Sequence, residues 1–247
     1  MIIKIDKQTI IEEFSIIEKV TDLYYEYFNY FKFLKKDEFD RMCEILETWY
    51  YNMIPISKKK YNEDVTQRLF KKMRDNINLP AKLYRGMHFQ KEEKLDEFVK
   101  HFKEHGTIRE KHNNKNIEMV SWSSSLKQAK KFVGQYGLIL EQSKKDYKEF
   151  FLFSLLGLIP NVETQKEFLK KIYEVYHSKH LKMFDKISTK NDIKKMNIHG
   201  LFVGQWGASL STKEEEYLLK FQNAEELKNC KITIFKTKRK KNGSKNK

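Results

Sequence analysis

The sequence predicts an α+β fold. Two observations carry this: helical periodicity dominates the first eighty residues, and short strand-like segments dominate the remainder. No internal repeat and no linker-like composition interrupts the chain, and its 247 residues suit one large domain, or a catalytic domain with a helical extension. The expected division is a helical region over 1–80, a mixed core dominated by strands over 81–235 and a basic, disordered tail over 236–247.

Ile10, Ile11, Phe14, Ile17 and Val20 recur at helical spacing, and Tyr24, Tyr25, Phe28, Phe31 and Phe33 extend the pattern. A second helical pattern covers Phe39–Met53, and a third runs from Asp64 to Ile77 before Pro80 stops it. These segments hold many aromatics and no paired catalytic groups, so packing explains them. Lys82–Met87 then reads as a short strand, Glu92–Glu104 as a polar helix and Ile117–Ser123 as an alternating strand. Leu126–Val133 reads as an amphipathic helix and Gly137–Glu141 as a strand. Phe150–Ile159 is apolar throughout, which predicts burial without choosing helix or strand. Glu167–Tyr176 is helical, and Gly200–Trp206, Glu216–Phe221 and Lys231–Phe235 are the expected closing strands.

Composition narrows the function classes. Two distant cysteines, Cys43 and Cys230, and no CxxC argue against a disulfide framework or a cysteine-rich zinc site. The start of the chain lacks a signal-peptide core, and the longest apolar run is half a membrane span, so a soluble cytoplasmic protein without membrane association is expected. The net charge of +15 favours acidic partners such as nucleic acid. The segment Lys236–Lys247 supplies seven of those charges and no acid, and the abundance of Lys, Asn and Ile also fits an AT-rich coding bias. With no G-x-G-x-x-G or P-loop and only nine glycines, a Rossmann site is not expected. Ser124-Ser125-Leu126-Lys127 is a formal Ser-x-x-Lys without its companion motifs. His177 and His180 have no HExxH context and no evident third ligand, so no metal is expected.

Three segments carry chemistry. In Leu83-Tyr84-Arg85-Gly86 an arginine stands within a strand, where a buried cation needs a partner and its planar fork suits phosphate oxygens. The following glycine permits close approach of a ligand to the backbone. The alternative is an edge-strand arginine in a surface ion pair. In Ser121-Trp122-Ser123-Ser124-Ser125 hydroxyls alternate along a strand end, and the last serines also suit a helix N-cap. In Glu214-Glu215-Glu216-Tyr217-Leu218-Leu219 a strand opening at Glu216 would place Glu214 on the same side. One carboxylate of such a pair can stabilise an oxocarbenium ion while the other handles an acceptor, as in glycosidases. A solvated acidic turn is the alternative.

An aromatic-Arg-Gly strand, then serines on a middle strand, then Glu-x-Glu entering a late strand resembles the arginine–serine–glutamate clade of ADP-ribosyltransferases. Tyr84-Arg85-Gly86 matches the first motif, Ser121-Trp122-Ser123 followed by Ala129 and Phe132 the second, and Glu214-x-Glu216 before Tyr217-Leu218-Leu219 the third. The resemblance covers Lys82 to the last strand. It implies a mixed β core of two packed sheets with helices, and NAD⁺ as co-substrate with no metal. Arg85, Ser121, Glu214 and Glu216 become the catalytic set, with Tyr84, Arg85, Gly86, Ser121, Trp122, Ser123 and Phe132 against NAD⁺. Ser121 fits the distance to Ala129, while Ser123-Ser124-Ser125-Leu126 resembles the family's Ser-Thr-Ser-Leu, so both Ser121 and Ser123 stand as the motif serine, Ser121 first. The loop Ala208–Lys213 lacks the aromatic that several toxins of the family use for target recognition.

By this resemblance Arg85 binds the NAD⁺ phosphates, the Gly86 backbone holds the nicotinamide amide, Ser121 orients Glu216, and Glu216 binds the ribose 2′-OH. Glu214 positions or deprotonates the acceptor, which suits a protein arginine, whereas the charge suits RNA or DNA. Some relatives modify nucleic-acid bases, among them an mRNA-modifying toxin of a toxin–antitoxin–chaperone anti-phage system. Such a toxin or phage enzyme endangers the cell that makes it, so a neutralising antitoxin or immunity partner is expected. The rival readings are a basic nucleic-acid-binding protein without catalysis and an NAD⁺ glycohydrolase.

Overall fold

The computed structural model describes residues 7–52, 56–105, 119–184, 215–220 and 229–236. Helices come first: α1 (Lys7–Glu26), α2 (Phe28–Phe31), α3 (Lys36–Asn52), α4 (Lys58–Tyr61) and α5 (Asp64–Asn76). There follow β1 (Lys82–Phe89), α6 (Glu92–His105), β2 (Met119–Ser123), α7 (Leu126–Lys130), β3 (Tyr136–Ser143), α8 (Lys144–Tyr147), a 3₁₀ turn at Lys148–Phe150, β4 (Phe151–Phe153), α9 (Leu155–Leu158), α10 (Val162–Phe184), β5 (Glu216–Lys220) and β6 (Lys231–Lys236). This is an α+β chain, with helices ahead of an antiparallel sheet. The expected strand Gly200–Trp206 and the basic segment beyond Lys236 lie outside the described residues.

The early aromatics are packing groups. Phe31, Phe39 and Phe168 are buried, with ring centroids 5.2 Å apart for Phe31–Phe39 and for Phe31–Phe168. Tyr27 joins them, 4.8 Å from Phe168. Phe168 belongs to α10, so the helical layer includes a helix from the second half of the chain as well as those of its first eighty residues. The reason is the apolar stripe of α10: Phe168, Leu169, Ile172 and Val175 are all buried. These side chains belong to one continuous hydrophobic cluster that also takes in Leu83, Trp122, Leu140 and Leu218 of the sheet.

The six strands lie in the order β4-β5-β2-β1-β3-β6, every neighbouring pair antiparallel. Where two packed sheets are expected, one sheet is observed, with a narrow waist. β1 pairs with β3 along eight positions, from Lys82↔Ser143 to Phe89↔Tyr136. Its register with β2 is a single pair, Tyr84↔Ser123. Side chains on one strand alternate between the faces. Leu83, Met87, Leu138 and Leu140 turn toward α6, whose Phe98 ring lies 5.1 Å from Phe89. Gly86, Ile139 and Gly137 turn the other way, under α7. A Cβ on Gly86 would stand 1.9 Å from the Ala129 carbonyl oxygen, and one on Gly137 2.0 Å from that of Val133. Glycine at these positions lets the α7 turn lie directly on the sheet.

The apolar run Phe150–Ile159 is both a strand and a helix. Phe151, Leu152 and Phe153 form β4, and Ser154 caps α9 by accepting a hydrogen bond from the Gly157 N–H at 3.4 Å. No helix among the described residues is long and apolar enough to cross a membrane.

Candidate functional site

The waist between β1 and β2 is where the chemistry-bearing residues collect. Tyr84 pairs with Ser123 across the waist, and Ser123 pairs with Glu216 on β5. On the other side Tyr84 pairs with Glu141 of β3. Directly paired residues project to the same face of a sheet. Glu216, Ser123, Tyr84 and Glu141 therefore form one row across four adjacent strands. The row shares its face with Gly86 and with the α7 turn above it.

One residue beyond the bridge, β1 and β2 part. The half-buried Arg85 spans the gap, donating from Nη1 to the Ser121 carbonyl at 2.7 Å. This charge-assisted bond links the strands where their backbones no longer pair. It also places a guanidinium beside the serine strand, at the mouth of the divergence.

Each serine of the cluster has its own position. Ser121 pairs with Leu218, two residues along β5 from Glu216, while Ser123 sits opposite Glu216 itself. Ser123 is buried, and its Oγ accepts from the Ser125 N–H at 3.1 Å. Ser124 Oγ donates to the Glu215 carboxylate at 2.6 Å, and the Ser124 N–H donates to the Glu215 carbonyl at 3.2 Å. Ser125 caps α7, its Oγ accepting from the Gln128 N–H at 3.4 Å. The helix cap that the sequence offers falls to Ser125, while Ser123 stands in the row opposite Glu216.

Glu215 lies in a turn just ahead of β5. Glu215 has φ of 52°, in the left-handed region. The strand begins only at Glu216, and the expected placement of Glu214 on its face lies outside the described residues. Glu216 is held from behind by β4–α9: the buried Ser154 Oγ donates to the Glu216 carbonyl at 2.8 Å. Burial pushes the neighbouring Tyr217 phenol above its ordinary pKa, and the Glu215 charge adds to the rise while Ser154 offsets part of it. The roles of Glu215, Ser124 and Ser154 are not marked in the sequence, because each depends on contacts between distant segments.

Of the remaining expected contacts, Trp122 points away from the row. It pairs with Tyr217 and is only 2% exposed within the hydrophobic core. The Cα of Gly86 faces Ala129, so on that side its close approach is to α7. Phe132 is 44% exposed, and its Cβ lies 3.1 Å from where a Gly86 side chain would begin. His88 is exposed at the far end of β1. Among the described residues no group of three or more His, Cys, Asp or Glu is arranged to hold a metal ion. No protein-family model, no curated protein and no solved structure matches the chain.

Proposed function

We propose that the protein is an NAD⁺-dependent mono-ADP-ribosyltransferase, a toxin or effector that transfers ADP-ribose to an intracellular macromolecule. The observation that carries this reading is the row Tyr84–Ser123–Glu216, with Arg85 beside it at the point where β1 and β2 diverge. An arginine, a serine and a glutamate far apart in sequence come onto three neighbouring strands in the order that the motif resemblance requires: Ser123 and Glu216 share one face, and Arg85, one residue past Tyr84, starts from the other and reaches the Ser121 carbonyl at the divergence. The narrow waist divides the single sheet into two three-stranded halves, with the candidate residues at their junction.

In the proposed reaction the Arg85 guanidinium binds a phosphate oxygen of NAD⁺, exchanging or sharing its bond to the Ser121 carbonyl. Glu216 accepts a hydrogen bond from the 2′-OH of the nicotinamide ribose. As the bond from ribose to nicotinamide breaks, positive charge grows on the sugar, and the fixed carboxylate stabilises it more than it does the ground state. Nicotinamide leaves with the bonding pair, and a nucleophile on the acceptor takes its place. The register favours Ser123 over Ser121 as the serine that orients Glu216. Glu214 remains the candidate for handling the acceptor, whether a protein arginine or a nucleic-acid base.

The test is incubation of wild type and Glu216→Gln with labelled NAD⁺ and a whole-cell lysate. Label entering macromolecules with the wild type alone supports the transferase. Protease or nuclease sensitivity of the labelled product then names the acceptor class. Nicotinamide release without transfer would make the enzyme a glycohydrolase. Salt-sensitive nucleic-acid binding with neither would leave a binding protein.

A further inference from the structure

The Glu-Glu-Glu run contains a residue that the proposed chemistry does not use. Glu215 is the one non-glycine residue with positive φ among the described residues. That region suits glycine and asparagine, and a glutamate stays there only where its surroundings hold it. Here the holding groups come from the residue just past β2. Ser124 Oγ donates to the Glu215 carboxylate at 2.6 Å, and the Ser124 N–H donates to the Glu215 carbonyl at 3.2 Å. Both residues lie just past the Ser123↔Glu216 pair, so the contact closes the end of the β2–β5 ladder. The next residue, Glu216, is fixed from the opposite side by the Ser154 hydroxyl.

We infer that Ser124 and Glu215 form a clamp that positions Glu216, fixing the left-handed turn at which β5 begins. The inference rests on the transferase reading for what Glu216 does, but the clamp itself is a property of this fold. It gives Glu215 and Glu216 different tasks: Glu215 is turned toward Ser124, which leaves Glu216 to open the strand within the Tyr84–Ser123 row. Neither Ser124 nor Glu215 is placed against substrate. Both are positioning residues, and their loss should act on the rate of bond cleavage rather than on NAD⁺ binding. A carboxylate that must sit where charge develops is sensitive to small displacements, whereas binding through Arg85 is not tied to the turn.

Two readouts test this together. In nicotinamide-release kinetics, Ser124→Ala should lower kcat about tenfold to a hundredfold with KM nearly unchanged, and Ser124→Thr, which keeps the hydroxyl, should restore it. In chemical denaturation, Ser124→Ala, Glu215→Ala and the double variant should be non-additive, because each single change removes the same hydrogen bond. Additive denaturation midpoints would overturn the clamp whatever the activity. Non-additive midpoints with an unchanged kcat for Ser124→Ala would overturn its positioning role. A wild type that releases no nicotinamide would overturn the transferase reading and the catalytic role with it. The denaturation cycle distinguishes that result from failure of the clamp, since it reads stability alone.

Discussion

At Gly86 the packing leaves no room for a methyl group. A Cβ there would meet the Ala129 carbonyl at 1.9 Å, and backbone cannot move aside as a flexible side chain can. Gly86→Ala should therefore lower stability by about 1–3 kcal/mol, the usual cost of overpacking, read from the denaturant midpoint. Glu216→Gln should leave the midpoint within about 0.5 kcal/mol, as expected of a change outside the core, and lower nicotinamide release by about a hundredfold or more. Loss of the fold instead of the rate would show that Glu216 is structural. Among single residues, Arg85 and Glu216 were legible because an arginine in a strand and a glutamate before an apolar strand are unusual local choices. The Ser124–Glu215 contact was not legible, since it joins residues 91 positions apart through a turn conformation that glutamate rarely adopts. Trp122, which the family resemblance implied against NAD⁺, is turned into the core by strand alternation.

Among elements, α3 shows how one buried acid organises a helix start. The Glu38 carboxylate, fully buried, accepts from the Lys35 N–H at 2.7 Å and from Lys72 Nζ at 2.6 Å, with Arg68 Nε at 3.4 Å. It satisfies an N-terminal amide of α3 and ties that helix to α5. Both cationic partners reach solvent, so they can be rehydrated when the acid is removed. Glu38→Ala should cost about 1–3 kcal/mol of stability, measured by urea denaturation, with nicotinamide release by the remaining folded protein unchanged. The main helices and most strands of this chain follow from periodicity, as with α6 and β3. The run 150–159 did not, because alternation is silent where both faces are buried, and only the Ser154 cap divides it into β4 and α9. The attachment of α10 to the early helices was equally hidden, since a sequence stripe states that a helix has a partner without naming it.

For the whole molecule, the buried phenols and thiols set an alkaline limit. Burial raises the Cys43 thiol well above its ordinary value and pushes Cys230 up to about 12. Burial also raises the phenols of Tyr147 and Tyr176. These groups stay protonated in the folded chain while the unfolded chain ionises them from about pH 8.5 for cysteine and about 10 for tyrosine. Their contribution is thus complete below about pH 8.5 and is lost as pH rises toward the folded-state values. The melting temperature should fall steadily between about pH 9 and 11, and an alkylating reagent at about pH 8 should label the buried Cys43 only after unfolding. A melting temperature that stays level across this range would show that the groups are accessible in the native state. The sheet's waist has a consequence of another kind. Eight residue pairs tie β1 to β3, but one pair and the Arg85 guanidinium tie β1 to β2. Backbone cooperativity is interrupted there, so amide protons of β1, β3 and β6 should exchange with solvent as one unit and those of β2, β4 and β5 as another, each with its own opening free energy.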